Sequence, residues 1–235
     1  MFLLFAVVFA FLCSCGHLLL DYLTGAEATV SASSGGSPVI VIDPGHGGED
    51  GGTSSPDGIL EKDLNLEISN LLCDLFSSAG CNVIPTRTED ILLYDRNADY
   101  KGKKKVMDLA ARLNTANDSA CDLFLSIHMN SFPQKKYSGL QVYYSSNNPE
   151  SQKIAKNIQD SVRTYLQPNN DRETKAAGKN IFLLDRLQRP AILVECGFLS
   201  NPAECAMLSH DEYRRKLSLV IYFAASEYIC GTFNS

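Results

Sequence analysis

The chain has 235 residues, 45% of them hydrophobic and 20% charged, the balance of a globular protein and not of a disordered one. Its net charge of -6, with no basic stripe interleaved with aromatics, argues against a nucleic-acid binder or a protein held on anionic lipid by charge. With the first 37 residues set aside, about 200 remain, enough to bury one well-packed core.

The N-terminus reads "MFLLFAVVFAFLCSCGHLLL", an apolar run of the length of an export signal or a marginal membrane anchor. Residues 1–24 are therefore expected to be a signal or anchor, 25–37 a Ser/Gly-rich linker, and 38–235 the functional domain. No Lys or Arg precedes Lys62, so the usual positive flank of a signal is missing. "LCSC" followed by Gly16 resembles a lipoprotein cleavage box with Cys15 as the lipidated residue. Each of these readings places the protein outside the cytoplasm. The eight cysteines form no CxxC and no framework spacing, so buried free thiols are expected, with Cys73 and Cys81 the pair to test first. The dense basic run "KGKKK" (Lys101 to Lys105) reads as a solvated loop.

From Pro38 the pattern alternates strand and helix. "VIVID" is a buried strand, and "EKDLNLEISNLLCDLFSSAG" is a helix with Leu64, Ile68, Leu71, Leu72 and Leu75 on one face and Gly80 as its stop. "CNVIPT" is a strand, and "VMDLAARLNTAN" a helix with Val106, Leu109, Ala110 and Leu113 in register. "DLFLSI" and "LQVYYS" are strands, and Pro149 sits in the first turn of the amphipathic helix "PESQKIAKNIQDSVRTYL". "IFLL" and "AILVE" read as strands and "HDEYRRKLSLVIYFAASEYI" as a closing helix. This alternation predicts a three-layer α/β/α domain on a mostly parallel sheet, with ligands beyond the carboxyl ends of its strands.

Four polar groups fall at such positions. His46 follows "VIVID", Glu61 opens the first long helix, His128 ends "DLFLSIH", and Glu195 ends "AILVE". Singly, each has an ordinary explanation: a turn histidine, a first-turn acid favoured by the helix dipole, a satisfied core histidine, or a partnered buried carboxylate. Together, two imidazoles and one carboxylate make a catalytic Zn²⁺ shell, and a second carboxylate outside it can move the proton of an attacking water. The loop "GHGGEDG" is a poor phosphate cradle. It fails G-x-G-x-x-G, no helix follows directly, and Glu49 and Asp50 would repel a phosphate.

"IDPGHGGEDGG", "LEKDLNLEIS", "FLSIHMNS" and "ILVECGFLSNPAE" resemble, in order and spacing, the four signature segments of the zinc-dependent N-acetylmuramoyl-L-alanine amidases, the amidase-3 family. The resemblance covers roughly residues 38–230. It implies Zn²⁺ held by His46, Glu61 and His128, with Glu195 as the catalytic acid/base. It implies peptidoglycan as substrate, cut at the amide between the lactyl group of N-acetylmuramic acid and L-alanine. "SGLQVYYSS" and "DRETKAAGKNIFLLDRLQRPAILVE" are especially similar to the spore-cortex (CwlD-type) branch, in which stem peptides are removed so that muramic-δ-lactam can form. An accessory protein is expected by the same analogy. The alternatives are a vegetative wall amidase and a non-catalytic wall lipoprotein. Arg87, Arg112 and Asn130 match common family positions and are expected near the substrate. Met129 stands where small residues are usual and is expected to narrow the floor of the site. Asp43, Glu49 and Asp50 are the candidates to hold the other nitrogen of His46, and Asp43, at the strand end, is the one preferred.

Overall fold

The computed structural model describes residues 36–97 and 101–233, with side chains to residue 229. The leader, linker residues 25–35, the Cys15 box and the Cys230 side chain lie outside the described residues. Among the described residues no helix is long and apolar enough to cross a membrane.

The strands are β1 (Val39–Pro44), β2 (Asn82–Pro85), β3 (Leu123–Asn130), β4 (Gln141–Tyr144), β5 (Lys175–Ala176) and β6 (Ala191–Phe198). The helices are α1 (Glu61–Ser78), α2 (Lys104–Asp118), α3 (Pro149–Tyr165), α4 (Phe182–Arg186), α5 (Pro202–Ser209) and α6 (Asp211–Phe233). The sheet runs β2-β1-β3-β6-β4-β5. β2, β1, β3 and β6 are parallel, β4 is antiparallel to β6, and β5 follows β4. The expected α/β architecture is thus present, with a mostly parallel sheet.

Alternation along each strand sorts its residues onto two faces. Ile40, Ile42, Leu125, Ile127, Ile192 and Val194 face α1 and α3, and α6 lies along those two helices. Val41, Phe124, Ala191 and Leu193 face α2 and α4. α1 buries Leu64, Ile68, Leu72 and Phe76 at i, i+4 spacing, which explains why that segment is a helix against the sheet.

Three expectations change. "IFLL" is not a strand: Phe182 opens a five-residue helix whose Leu183 and Leu184 cap the second core. The closing helix begins one residue later than expected, and the separate helix α5 precedes it. Asn201 caps α5 through Ala203 and Glu204 N–H, with Pro202 at its first position. α2 does not bury Val106, which is 61% exposed. It buries Asp108, Arg112 and Ala116. The described cysteines 73, 121, 196 and 205 are free thiols.

Candidate active site

The strand ends gather one face of the sheet. Asp43 pairs in register with Ser126, and His128 with Glu195, all on the side that carries Val41, Phe124 and Leu193. Met129 and Cys196 therefore point the other way and are buried in the α1-side core, so Met129 does not floor the site.

His46 has φ +61, a left-handed conformation that a non-glycine residue rarely holds. That turn swings its ring back over the sheet edge toward His128, the ring centroids lying 5.0 Å apart. Glu61, at the N-terminus of α1, sits between them. Its Oε1 is 3.0 Å from His128 Nδ1 and 3.3 Å from His46 Nε2. Oε1 also accepts the Met129 N–H at 3.0 Å, while Oε2 accepts the Thr53 N–H at 2.8 Å. Burial alone would raise the Glu61 carboxyl, but hydrogen bonds from His128 and His46, and their charge, hold it far below the carboxylate range. One potential ligand atom from each of His46, Glu61 and His128 lies within 4.8 Å of the others. Two imidazole nitrogens and a carboxylate oxygen suit a borderline divalent ion such as zinc, so the donor set fits the expected metal. Two glycines make room. A Cβ at Gly45 would run into the His128 ring, and one at Gly52, where φ is +67, would come within 2.5 Å of Glu61 Oε2.

Asp50, and not Asp43, reaches the other nitrogen of His46. Asp50 Oδ2 lies 3.0 Å from His46 Nδ1, on an approach oblique to the ring N–H. Burial pushes the His46 pKa down, and Glu61 and Asp50 together more than reverse it. Asp43 is fully engaged elsewhere. It accepts from Thr86 Oγ1 (2.6 Å), Ser126 Oγ (2.7 Å) and Arg112 Nη1 (2.7 Å). Arg112 then donates to the carbonyls of Pro44 and His46, both at 2.7 Å, and Arg87 donates to those of Pro44 and Gly45, both at 3.0 Å. The two arginines are 1% and 3% exposed and staple the backbone that presents His46, and Arg112 also lines the cavity beside His46 and His128. Asn130 ends β3, its carbonyl accepting the Leu199 N–H at 2.9 Å.

Glu195 stands opposite His128 on β6, and its Oε2 is buried with no hydrogen-bond partner. Burial and the Glu61 charge push its carboxyl up to about 7, against the pull of His128, His46 and Arg172. It borders a cavity of about 250 Å³ that extends from His46 and His128 toward Lys105, Leu109, Ile181 and Phe182. The basic run is thus not merely a solvated loop. Lys104 pairs with Glu49 at 2.7 Å, and Lys105 pairs with Asp50 at 3.1 Å, which joins α2 to the glycine loop at the cavity mouth.

The sequence matches the family model described as N-acetylmuramoyl-L-alanine amidase over residues 40–226. It is 38% identical over 184 residues to the germination-specific N-acetylmuramoyl-L-alanine amidase of Bacillus subtilis (strain 168), covering 78% of this chain and 76% of that one. The fold is similar to that of the CwlD amidase from Clostridioides difficile, solved in complex with the GerS lipoprotein. The TM-score is 0.78 at 36% identity, over 83% of this chain and 99% of that one. It is also similar to an N-acetylmuramoyl-L-alanine amidase from Clostridium difficile 630, with TM-score 0.72, 29% identity, and 83% and 98% coverage.

Proposed function

The chain belongs to the amidase-3 family of N-acetylmuramoyl-L-alanine amidases, enzymes of peptidoglycan, and we propose that it works with zinc held by His46, Glu61 and His128 and with Glu195 as acid/base. The observation that carries this reading is the rung His128–Glu195: it sets an unpartnered buried carboxylate beside a cluster of two imidazoles and a carboxylate. When bound, zinc supplies Lewis acidity, polarising the lactyl carbonyl and acidifying water. Glu195, whose carboxyl is raised to about 7 when no cation is nearby, takes a proton from the attacking water in its anionic form as the C–O bond forms. It then returns that proton to the nitrogen of L-alanine as the C–N bond breaks, leaving a free stem-peptide amine and a lactyl carboxylic acid that loses its remaining proton to solvent. Asp50 sets the orientation of the His46 ring, and Arg87 and Arg112 hold its backbone.

The spore-cortex role, with stem-peptide removal ahead of muramic-δ-lactam formation, rests on the likeness to the germination-specific amidase and to CwlD. The complex of CwlD with the GerS lipoprotein supports an accessory lipoprotein here as well. Action outside the cytoplasm fits a wall substrate, delivered by the apolar leader of residues 1–24 as a cleaved signal, lipoprotein signal or retained anchor.

The test is mass spectrometry of sacculi digested by purified protein, paired with metal analysis. Free stem peptides with intact glycan chains, stoichiometric zinc, and loss of release on chelation with recovery on zinc addition are the expected results. Release that survives complete metal removal would sink the zinc assignment, and no release at all would sink the amidase. Cortex from a deletion strain should lack muramic-δ-lactam; a normal lactam content assigns the enzyme to the vegetative wall instead. Asp50→Asn should weaken zinc affinity by about 10–100-fold with an unchanged circular dichroism spectrum, as loss of a ligand's supporting acid does elsewhere. Unchanged affinity would mean that the oblique Asp50 contact does not orient His46.

A further inference from the structure

We propose that Lys105 determines specificity, its ammonium pairing with a carboxylate on the stem peptide one residue beyond the L-alanine at the cut. The proposal rests on the amidase reading above and names what the cavity recognises. Its starting point is one oxygen with two claimants. Asp50 Oδ2 lies 3.0 Å from His46 Nδ1 and 3.1 Å from Lys105 Nζ. The two contacts differ in kind. The turn at His46 fixes its ring, whereas the Lys105 side chain is a flexible stem, 64% exposed. An ion pair this open to water is weak, so the ammonium is free to exchange partners. When it leaves, Asp50 keeps His46 on Oδ2 and the Gly52 N–H, at 3.2 Å, on Oδ1.

The cavity beside Glu195 gives Lys105 somewhere to turn. Lys105 and Arg112 are the lysine and arginine side chains among its lining residues. Arg112 is committed to Asp43, Asp108 and two backbone carbonyls. That leaves Lys105 as the cation able to meet a ligand there. The acids along the same wall are engaged, Asp43 and Asp108 by Arg112 and Asp50 by His46. Lys105 also stands in the first turn of α2, which starts from Lys103 without a side-chain cap and carries no acid in that turn. The positive end of the helix therefore adds to the lysine charge.

The reaction decides which arm of the substrate enters. Glu195 returns a proton to the nitrogen of L-alanine, so the peptide begins where Glu195 stands. From there the cavity runs toward Lys105, between Leu109 on α2 and Ile181, Phe182 and Leu183 at the start of α4. A recess walled on two sides suits a single thin chain. A glycan strand runs past the cut in both directions and needs a surface open at both ends. The α4 residues and Leu193 offer the alanine methyl an apolar wall, and the next residue reaches the mouth, where Lys105 is. A carboxylate there gains a charge-assisted hydrogen bond that an amide of the same shape lacks.

The test is a pair of muramyl tripeptides that differ at one group: the second residue carries its α-carboxyl free or as the primary amide. The unmodified full-length enzyme should cleave the acid with kcat/KM about tenfold higher, the weight of one charge-assisted hydrogen bond. That preference should shrink as NaCl rises, because solvent reaches the pair. Lys105→Met should bring the ratio to about one, and Lys105→Glu should turn it in favour of the amide. Equal kcat/KM for acid and amide in the unmodified enzyme overturns the proposal. So does a Lys105→Met enzyme that slows on both with the ratio unchanged, which would make Lys105 only a tie between α2 and the glycine loop. Should the variants misfold, the unmodified enzyme decides: a preference that persists undiminished at high salt does not come from Lys105. Failure here is separable from failure of the amidase reading, since the latter predicts cleavage of neither tripeptide and the former equal cleavage of both.

Discussion

Glu195→Gln should lower kcat/KM for stem-peptide release by about 10²–10⁴-fold, the usual weight of a positioned general base, while thermal stability and zinc content hold or rise. The amide keeps the shape of the carboxyl and leaves the cluster of His46, Glu61 and His128 intact, so the loss would belong to proton transfer and not to the fold. A variant that keeps wild-type turnover would remove Glu195 from the mechanism. The pH dependence follows from the same burial. The Glu195 carboxyl sits at about 7 when no cation is near, against an ordinary 4.5. The base form is the anion, so kcat/KM should rise with pH along an acid limb. A dication at the neighbouring cluster favours the anion, so the midpoint of that limb should lie below about 7 in the zinc-loaded enzyme. Stability of the metal-free protein carries the opposite sign for this group. A raised carboxyl favours the fold below about 4.5, and that contribution is lost as pH rises through about 7. Zinc should reverse this loss, so melting curves with and without metal should diverge most above pH 7. Parallel curves across that range would mean that cation and carboxylate do not sense each other.

How much of this was legible before the fold was known depends on the range over which each residue acts. The ligand set was legible because strand ends and a helix start are local features. "VIVID" before His46, "DLFLSI" before His128 and "AILV" before Glu195 each announce a buried strand whose next polar residue must lie at the sheet edge. Asp50, one of three candidates, ranked below Asp43 because its approach to His46 depends on φ +61 at His46 and positive φ at Gly47 and Gly48, conformations that composition permits but does not specify. Asp43 was the better guess on position, but Thr86, Ser126 and Arg112, 43 to 83 residues away in sequence, occupy its oxygens. "IFLL" misled because four apolar residues are too few to show either period. α5 had a readable start: Asn201-Pro202 is the same cap and first-position pair as Asn148-Pro149 at α3. The outward turn of Val106 follows from a helix that buries an ion pair in place of an apolar stripe, which hydrophobic periodicity cannot detect. The register shift that sets Phe198 opposite Asn130 likewise has no sequence mark beyond Gly197.

That buried ion pair carries the second large effect. Arg112→Met should destabilise the protein by about 3–5 kcal/mol, a fall in melting temperature of roughly 6–20 °C for a domain of this size. Methionine fills much of the volume, so the cost comes from what is left behind. Asp43 and Asp108 remain as buried carboxylates without their cation, the His46 carbonyl loses the Arg112 donor, and the Pro44 carbonyl keeps only Arg87. Burial alone would raise the Asp43 carboxyl. Arg112, Thr86 and Ser126 hold it below its ordinary 3.8 instead, so its contribution is present above that value and is lost as pH falls through the lowered one. In Arg112→Met the principal lowering influence is gone, so the variant should gain relative stability on acidification while the parent loses it. The gap between their melting temperatures should therefore narrow toward pH 4. Arg112→Lys separates charge from geometry. A lysine restores a cation but cannot serve Asp43, Asp108 and two carbonyls at once, so it should recover part of the stability and little of the zinc affinity. Equal melting temperatures for Arg112→Met and the parent would show that the acids find other partners, and the loop presenting His46 would then owe its shape to Arg87 and the glycines alone.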